Sequence, residues 1–246
     1  MEFKNALIIT SLAGLSTLLG ALIIFIKNNE RIINKALSFA VGVMITISIV
    51  DLLPESYVNL NSVNNTITTV LYMFISFVIA FILTSLIEDK IKIENDHTNM
   101  YKVGVVSMIG IILHNIPEGI ITFITSSINI KLGISLAIAI SLHNIPEGIS
   151  IALPIYYSTK NKAKSLLYTL LSGFSEVVGG VIGYFLLSKF LNPTIMGITY
   201  SAIAGIMIYI AIFTIVPTVN KLNKKFENKI FILIGIIFMY IVTRII

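Results

Sequence analysis

The chain has 246 residues, 56% of them hydrophobic and only 12% charged, with a mean hydropathy of +0.95. Soluble domains carry about a quarter charged residues, so this composition excludes an ordinary water-soluble domain and favours the membrane class. A net charge of +5 and a pI near 9.3 would suit a nucleic-acid binder, but the basic residues are dispersed among loops between apolar stretches, and zero cysteines exclude disulfides and thiolate metal ligands.

Windows long enough to cross a bilayer, about 17 to 25 residues each, fall near residues 6–26, 36–56, 67–87, 103–125, 132–155, 165–188, 195–216 and 230–246. The expected fold class is an all-α integral membrane protein of eight transmembrane helices, forming one domain over residues 1–246. The first span lacks a basic leader region and a small-residue cleavage site, so it is read as a retained helix and not a signal peptide. The second carries Asp51 and Glu55 in its outer third, and an Asn-rich loop is expected from Val58 to Thr66. The 88–102 connection is the longest polar one, with His97 as its single histidine, and is too short to bury a core of its own.

Spans four and five carry the most informative residues. The phrase His-Asn-Ile-Pro-Glu-Gly occurs at His114–Gly119 and again at His143–Gly148, each time within an apolar stretch. A charged side chain at the middle of a transmembrane helix costs about 2.5 to 3.5 kcal/mol on insertion scales, so each needs a compensating partner. Span six has one acidic residue, Glu176, followed by Gly179 and Gly183, a small-xxx-small pattern that implies tight helix packing. Span seven contains Ile212–Pro217, which faintly repeats Ile49–Pro54 of span two.

Loop charges orient the chain. Lys27, Arg31 and Lys35, then Lys90, Lys92 and Lys102, then Lys160, Lys162 and Lys164, then Lys221, Lys224, Lys225 and Lys229 all fall on alternate connections. Short cytoplasmic loops retain Lys and Arg, so these four connections lie inside and both termini outside. His114 is then about 11 residues into its span, roughly 16 Å deep, and His143 and Glu176 reach the same depth from their own faces. The paired spans and the echo between spans two and seven fit an inverted 3+2+3 repeat, in which the first three helices recur as the last three around a central pair.

Within each phrase the spacing suits a metal. At about 100° per residue, His114 and Glu118 lie 40° apart around the helix and Asn115 about 60° to the other side, so one face carries all three. The same holds for His143, Asn144 and Glu147. Imidazole with carboxylate suits zinc, iron, manganese or cobalt better than the hard all-oxygen cations. Pro117 and Pro146 deprive the carbonyls of Leu113 and Leu142 of their helix partners, an irregularity tolerated in membranes where it is buried or lines a cavity.

These residues resemble a known family. The two His-Asn-Ile-Pro-Glu-Gly phrases, Ser172-Gly173-Phe174-Ser175-Glu176, Asp51-Leu52-Leu53-Pro54-Glu55 and eight spans with both termini outside are similar to the ZIP (Zrt/Irt-like) divalent metal transporters, above all the bacterial members. The resemblance covers nearly the whole chain. It implies that His114, Asn115, Glu118, His143, Asn144, Glu147 and Glu176 form a two-metal site on a transport path, with Glu118 and Glu147 bridging. It also implies that Asp51 belongs to the entrance from outside, where Glu55 is the neighbouring candidate. Many members carry a His-rich loop between spans three and four; here that loop offers only His97.

The expected function is transport of zinc, with iron, manganese, cobalt or cadmium as related cargo, into the cytoplasm through a multi-pass protein of the plasma membrane. The alternatives are an intramembrane zinc metallohydrolase and a metal-selective channel on the same site. The first lacks a His-Glu-x-x-His phrase and a free acid to act as general base, and an ATP-driven pump lacks a Walker-type loop. The chain is therefore not expected to be an enzyme or to hold a prosthetic group; the metal is cargo. Expected partners are divalent metal ions and membrane lipid, not nucleic acid, and the oligomeric state, a homodimer included, stays open.

Overall fold

The computed structural model describes residues 2–26, 30–91, 100–187, 192–222 and 225–245. His97 and its neighbours in the 88–102 connection lie outside the described residues. Eight helices are long and apolar enough to cross a membrane: α1 Glu2–Phe25, α2 Glu30–Asn61, α3 Thr66–Lys90, α4 Met100–Ile128, α5 Ile130–Thr159, α6 Lys162–Phe185, α7 Pro193–Lys221 and α8 Phe226–Arg244. The described structure is all-helical.

Asparagine starts four of these helices. The side chains of Asn65, Asn129, Asn161 and Asn192 accept hydrogen bonds from the first free backbone N–H groups of α3, α5, α6 and α7. Each satisfies donors that would otherwise face the membrane boundary unpaired. Helix α5 ends at Lys160, whose positive φ of 53° turns the chain into Asn161.

The expected Val58–Thr66 loop is much shorter in the structure. Helix α2 runs on to Asn61 and α3 begins at Thr66. The polar side chains that made this stretch read as a loop bond back to it: Asn59 Nδ2 donates to the Glu55 carbonyl at 2.8 Å, Ser62 Oγ to Asn59 at 2.7 Å and Asn64 Nδ2 to Leu60 at 2.9 Å. Local side-chain bonds of this kind end a helix tightly without a long excursion.

Two groups of helices emerge from the packing. Helices α1, α4, α5 and α6 pack on one another, while α2 packs on α8 and α7, and α3 on α7; the seam is made by α2 against α5 and α7 against α4. A large apolar cluster including Leu37, Val41, Met44, Val103, Leu153, Met207 and Ile210 fills the seam. Helix α3 has only 11% of its apolar window buried and α8 22%, so both present broad apolar surfaces outward. Such all-round apolar helices suit a lipid solvent.

Helices α2 and α7 each contain a π-helical turn, Ser48–Leu52 and Ile210–Ile215, just before Pro54 and Pro217. The Leu53 N–H reaches the Ser48 carbonyl and the Val216 N–H the Ala211 carbonyl, five residues back in each case. A proline ring collides with the carbonyl four residues earlier, and widening the turn relieves the collision. The faint sequence echo between these helices therefore marks the same backbone device.

Candidate metal centre

The two motif helices face each other within the α1, α4, α5, α6 group, and their prolines do not interrupt them: α4 is helical through Pro117 and α5 through Pro146 and Pro154. The four titratable motif residues converge. Glu118 Oε1 lies 3.3 Å from His114 Nε2 and 3.2 Å from His143 Nε2, so this one carboxylate spans both imidazoles. His114 Nε2 is also 3.5 Å from Glu147 Oε1, and the two rings are 5.9 Å apart between centroids. One ligand atom each from His114, His143 and Glu147 falls within a 4.8 Å span, close enough for one cation to touch all three.

Burial makes this arrangement costly unless something compensates. His114 and Glu147 are fully buried, His143 and Glu118 nearly so. Neither carboxylate oxygen of Glu147 accepts a hydrogen bond, and His114 Nδ1 has no partner. A buried polar atom without a partner costs about 1 to 3 kcal/mol, more when charged. A divalent cation would answer all of these atoms at once.

The two asparagines are held so that only their oxygens are free. Asn115 Nδ2 donates to the Ser172 carbonyl at 3.0 Å, and Asn144 Nδ2 to the Ala13 carbonyl at 3.0 Å and to Glu176 Oε2 at 2.9 Å. Both Oδ1 atoms are buried and unpartnered. The sequence spacing puts Asn on the ligand face; only the fold shows that its NH2 is committed to a neighbouring helix. Glu176, fully buried on α6, joins the cluster through Asn144 and keeps Oε1 unpartnered.

Close helix contact is set by glycine. A side chain on Gly119 would overlap the Glu176 carbonyl, and one on Gly148 the Thr17 carbonyl, so the last residue of each phrase is where α4 meets α6 and α5 meets α1. Gly179 packs in the same manner on the Ile116 carbonyl, and Gly183 on the Ile120 side chain, in keeping with their small-xxx-small spacing.

A cavity of about 360 Å³ leads to the centre. It is lined by exposed Glu55, half-buried Asp51 and, at its deep end, Glu118 and His143, with Tyr200 of α7 and Thr243 of α8 on its walls. Asp51 and Glu55 thus share one cavity with the motif residues. The end of α2, the start of α5 and the end of α8 form its rim.

Comparison with known proteins agrees with this geometry. Residues 89–243 match the family model described as ZIP zinc transporter. The chain is 36% identical over 238 residues to the zinc transporter ZupT of Streptococcus mutans, covering 89% of both chains. It is 37% identical over 244 residues to ZupT of Chlorobium phaeovibrioides and 35% over 250 residues to ZupT of Clostridium perfringens. This chain belongs to the ZIP family.

Within this ZIP protein, one feature escaped the sequence. The α1 stretch Ala13-Gly14-Leu15-Ser16-Thr17-Leu18-Leu19-Gly20 matches Ser172-Gly173-Phe174-Ser175-Glu176-Val177-Val178-Gly179 of α6, contact for contact. Asn144 bonds the Ala13 carbonyl as Asn115 bonds that of Ser172. Gly20 packs on the Ile145 carbonyl as Gly179 packs on that of Ile116. Ser16 Oγ reaches the carbonyls of Ala13 and Ser141, and Ser175 Oγ those of Ser172 and Ile112. The signal was the shared Gly-x-Ser-x-x-x-Gly spacing, hidden because Thr17 stands where α6 has Glu176.

Proposed function

We propose that this protein carries zinc and related divalent cations across the plasma membrane into the cytoplasm, through a His/Asn/Glu centre at the bilayer midplane. The observation that carries this reading is the convergence of His114, Glu118, His143 and Glu147 within 3.2 to 3.5 Å at the deep end of an open cavity, with Glu147 wholly buried and neither of its oxygens hydrogen-bonded. A structural role for these groups would need partners for the free oxygens. A cation path needs the opposite: ligand atoms oriented and uncommitted.

Two ions fit the donor set. Glu118 and Glu147 would bridge them, with His114, His143, the Oδ1 atoms of Asn115 and Asn144, and Glu176 completing the shells. These are nitrogen and oxygen ligands of the kind zinc, iron, manganese and cobalt accept. Asp51 and Glu55 would concentrate cations in the outer cavity and replace part of the hydration shell as the ion descends.

The packing supports an inverted 3+2+3 architecture. Exchanging α1 with α6, α2 with α7, α3 with α8 and α4 with α5 maps each major contact onto another: α3 on α7 becomes α8 on α2, and α1 on α5 becomes α6 on α4. Inverted repeats of this kind give a transporter two mirrored conformations, one open to each side. With the Lys- and Arg-rich connections inside, both termini lie outside and the observed cavity opens outward.

A metallohydrolase would need a carboxylate near the ion but free of ligation, and in this reading Glu118, Glu147 and Glu176 all serve as ligands. The relatives carry the name zinc transporter. Flux into proteoliposomes tests the proposal: wild-type protein admits zinc with saturation at low concentration, and Glu118→Ala and Glu147→Ala admit none while extracting normally. Full flux in both variants, or no flux of any divalent cation with wild type, sinks it. Unsaturable, fast flux would make it a channel.

A further inference from the structure

On the side of the molecule opposite the cavity, a second carboxylate joins the two helix groups. Glu88, at the end of α3, accepts a 2.7 Å hydrogen bond from Thr214 Oγ1 of α7, and its Oε1 lies 3.9 Å from Lys102 Nζ at the start of α4. The Glu88 side chain is only 14% exposed and that of Lys102 24%. Glu88 belongs to one helix group and Lys102 to the other.

The repeat gives this cluster a meaning. Gly42 of α2 packs on the Ile232 carbonyl of α8, and Gly205 of α7 on the Phe77 carbonyl of α3, which fixes the register between the halves. In that register Thr214 takes the place of Asp51, Glu88 the place of Thr243, Thr84 that of Met239, and Gly110 that of Ala139. All four counterparts line the outward cavity. On the inner side, Thr84, Ile87 and Gly110 line a cavity too, but one of only about 20 Å³. The outer path is open and its mirror image is nearly closed.

We propose that Glu88 is the carboxylate of the inner, release half of the path, and that in this outward-open state Lys102 holds that half shut while Thr214 fixes the position of the carboxylate. The proposal rests on the transport reading and on the repeat that supports it. The ammonium of Lys102 supplies the positive charge that the descending metal brings later. When the cation reaches Glu88, it takes over the carboxylate, the tie between α3 and α4 is released, and the inner cavity opens. The outer half carries its acid on α2, as Asp51, and the inner half carries it on α3, so the two ends of the path are mirrored in space but not in residue.

The lack of cysteine makes the test direct, since a single introduced Cys is the only thiol. A Cys replacing Thr84, labelled by a membrane-impermeant maleimide from the cytoplasmic side, reports inner opening. With Lys102→Met added, labelling rises at least fivefold. In zinc-flux assays Glu88→Gln, which keeps the hydrogen bonds but not the charge, lowers turnover at least tenfold, while zinc binding by the detergent-solubilised protein is unchanged; Glu88→Asp restores part of the turnover. The proposal is overturned if Glu88→Gln transports like wild type, if it loses zinc binding in parallel, or if Lys102→Met leaves labelling unchanged. Absence of flux in the wild type would instead overturn the transport reading.

Discussion

Glu118 and Glu147 occupy matching places in their phrases yet differ in surroundings. Glu118 faces the cavity and touches both imidazoles, whereas Glu147 lies behind, wholly buried, 3.5 Å from His114 and farther from His143. Glu118→Gln should therefore slow capture from the cavity, seen as a raised KM, and Glu147→Gln should lower the number of ions bound, seen as reduced zinc stoichiometry by calorimetry. Asn144 couples three helices through one amide group, which donates to the Ala13 carbonyl and to Glu176. Asn144→Leu should weaken zinc binding roughly 10- to 100-fold, the usual cost of losing a group that orients ligands, and should lower the Tm of the extracted protein.

At the scale of helices, the motif glycines decide how near the ligand-bearing backbones can come. Gly119→Ala and Gly148→Ala place a methyl group against backbone carbonyls of α6 and α1, which cannot rotate away. Overpacking of this sort costs about 1 to 3 kcal/mol, so both variants should unfold at lower temperature in a scanning fluorescence assay and bind zinc more weakly. Spacing made the phrases legible, because a helix repeats every 3.6 residues and His and Glu four apart share a face whatever surrounds them. The α1 contribution was illegible because its contacts are made by backbone carbonyls, which any residue supplies. Thr17 gives no ligand signal, yet its carbonyl is where α5 rests.

Across the whole molecule, the proposed inverted fold makes sidedness measurable. Single Cys residues at Ser62 and Lys162 should label from opposite faces of sealed vesicles; labelling from one face would contradict the orientation. A metal centre built of imidazole and carboxylate loads only when those groups are deprotonated, so ion binding releases protons. Zinc affinity should therefore fall as pH is lowered, and a zinc pulse into weakly buffered protein should acidify the medium. An affinity independent of pH between about 5 and 7, the range in which imidazole ordinarily titrates, would count against direct ligation by His114 and His143.

The sequence by itself determined that this is a membrane protein of eight apolar helices and that two of them carry the same His-Asn-Ile-Pro-Glu-Gly phrase. Hydrophobic length and helical period are local properties, readable without knowing what any residue touches. The tertiary structure decided the rest. It gave Glu118 to both histidines, left the Glu147 oxygens without hydrogen bonds, left the asparagine oxygens free by committing their NH2 groups, joined Asp51 and Glu55 to the same cavity and set Glu88 against Lys102. Those outcomes depend on distances between helices far apart in the chain, and such distances are fixed by glycine contacts and apolar packing that no local pattern records.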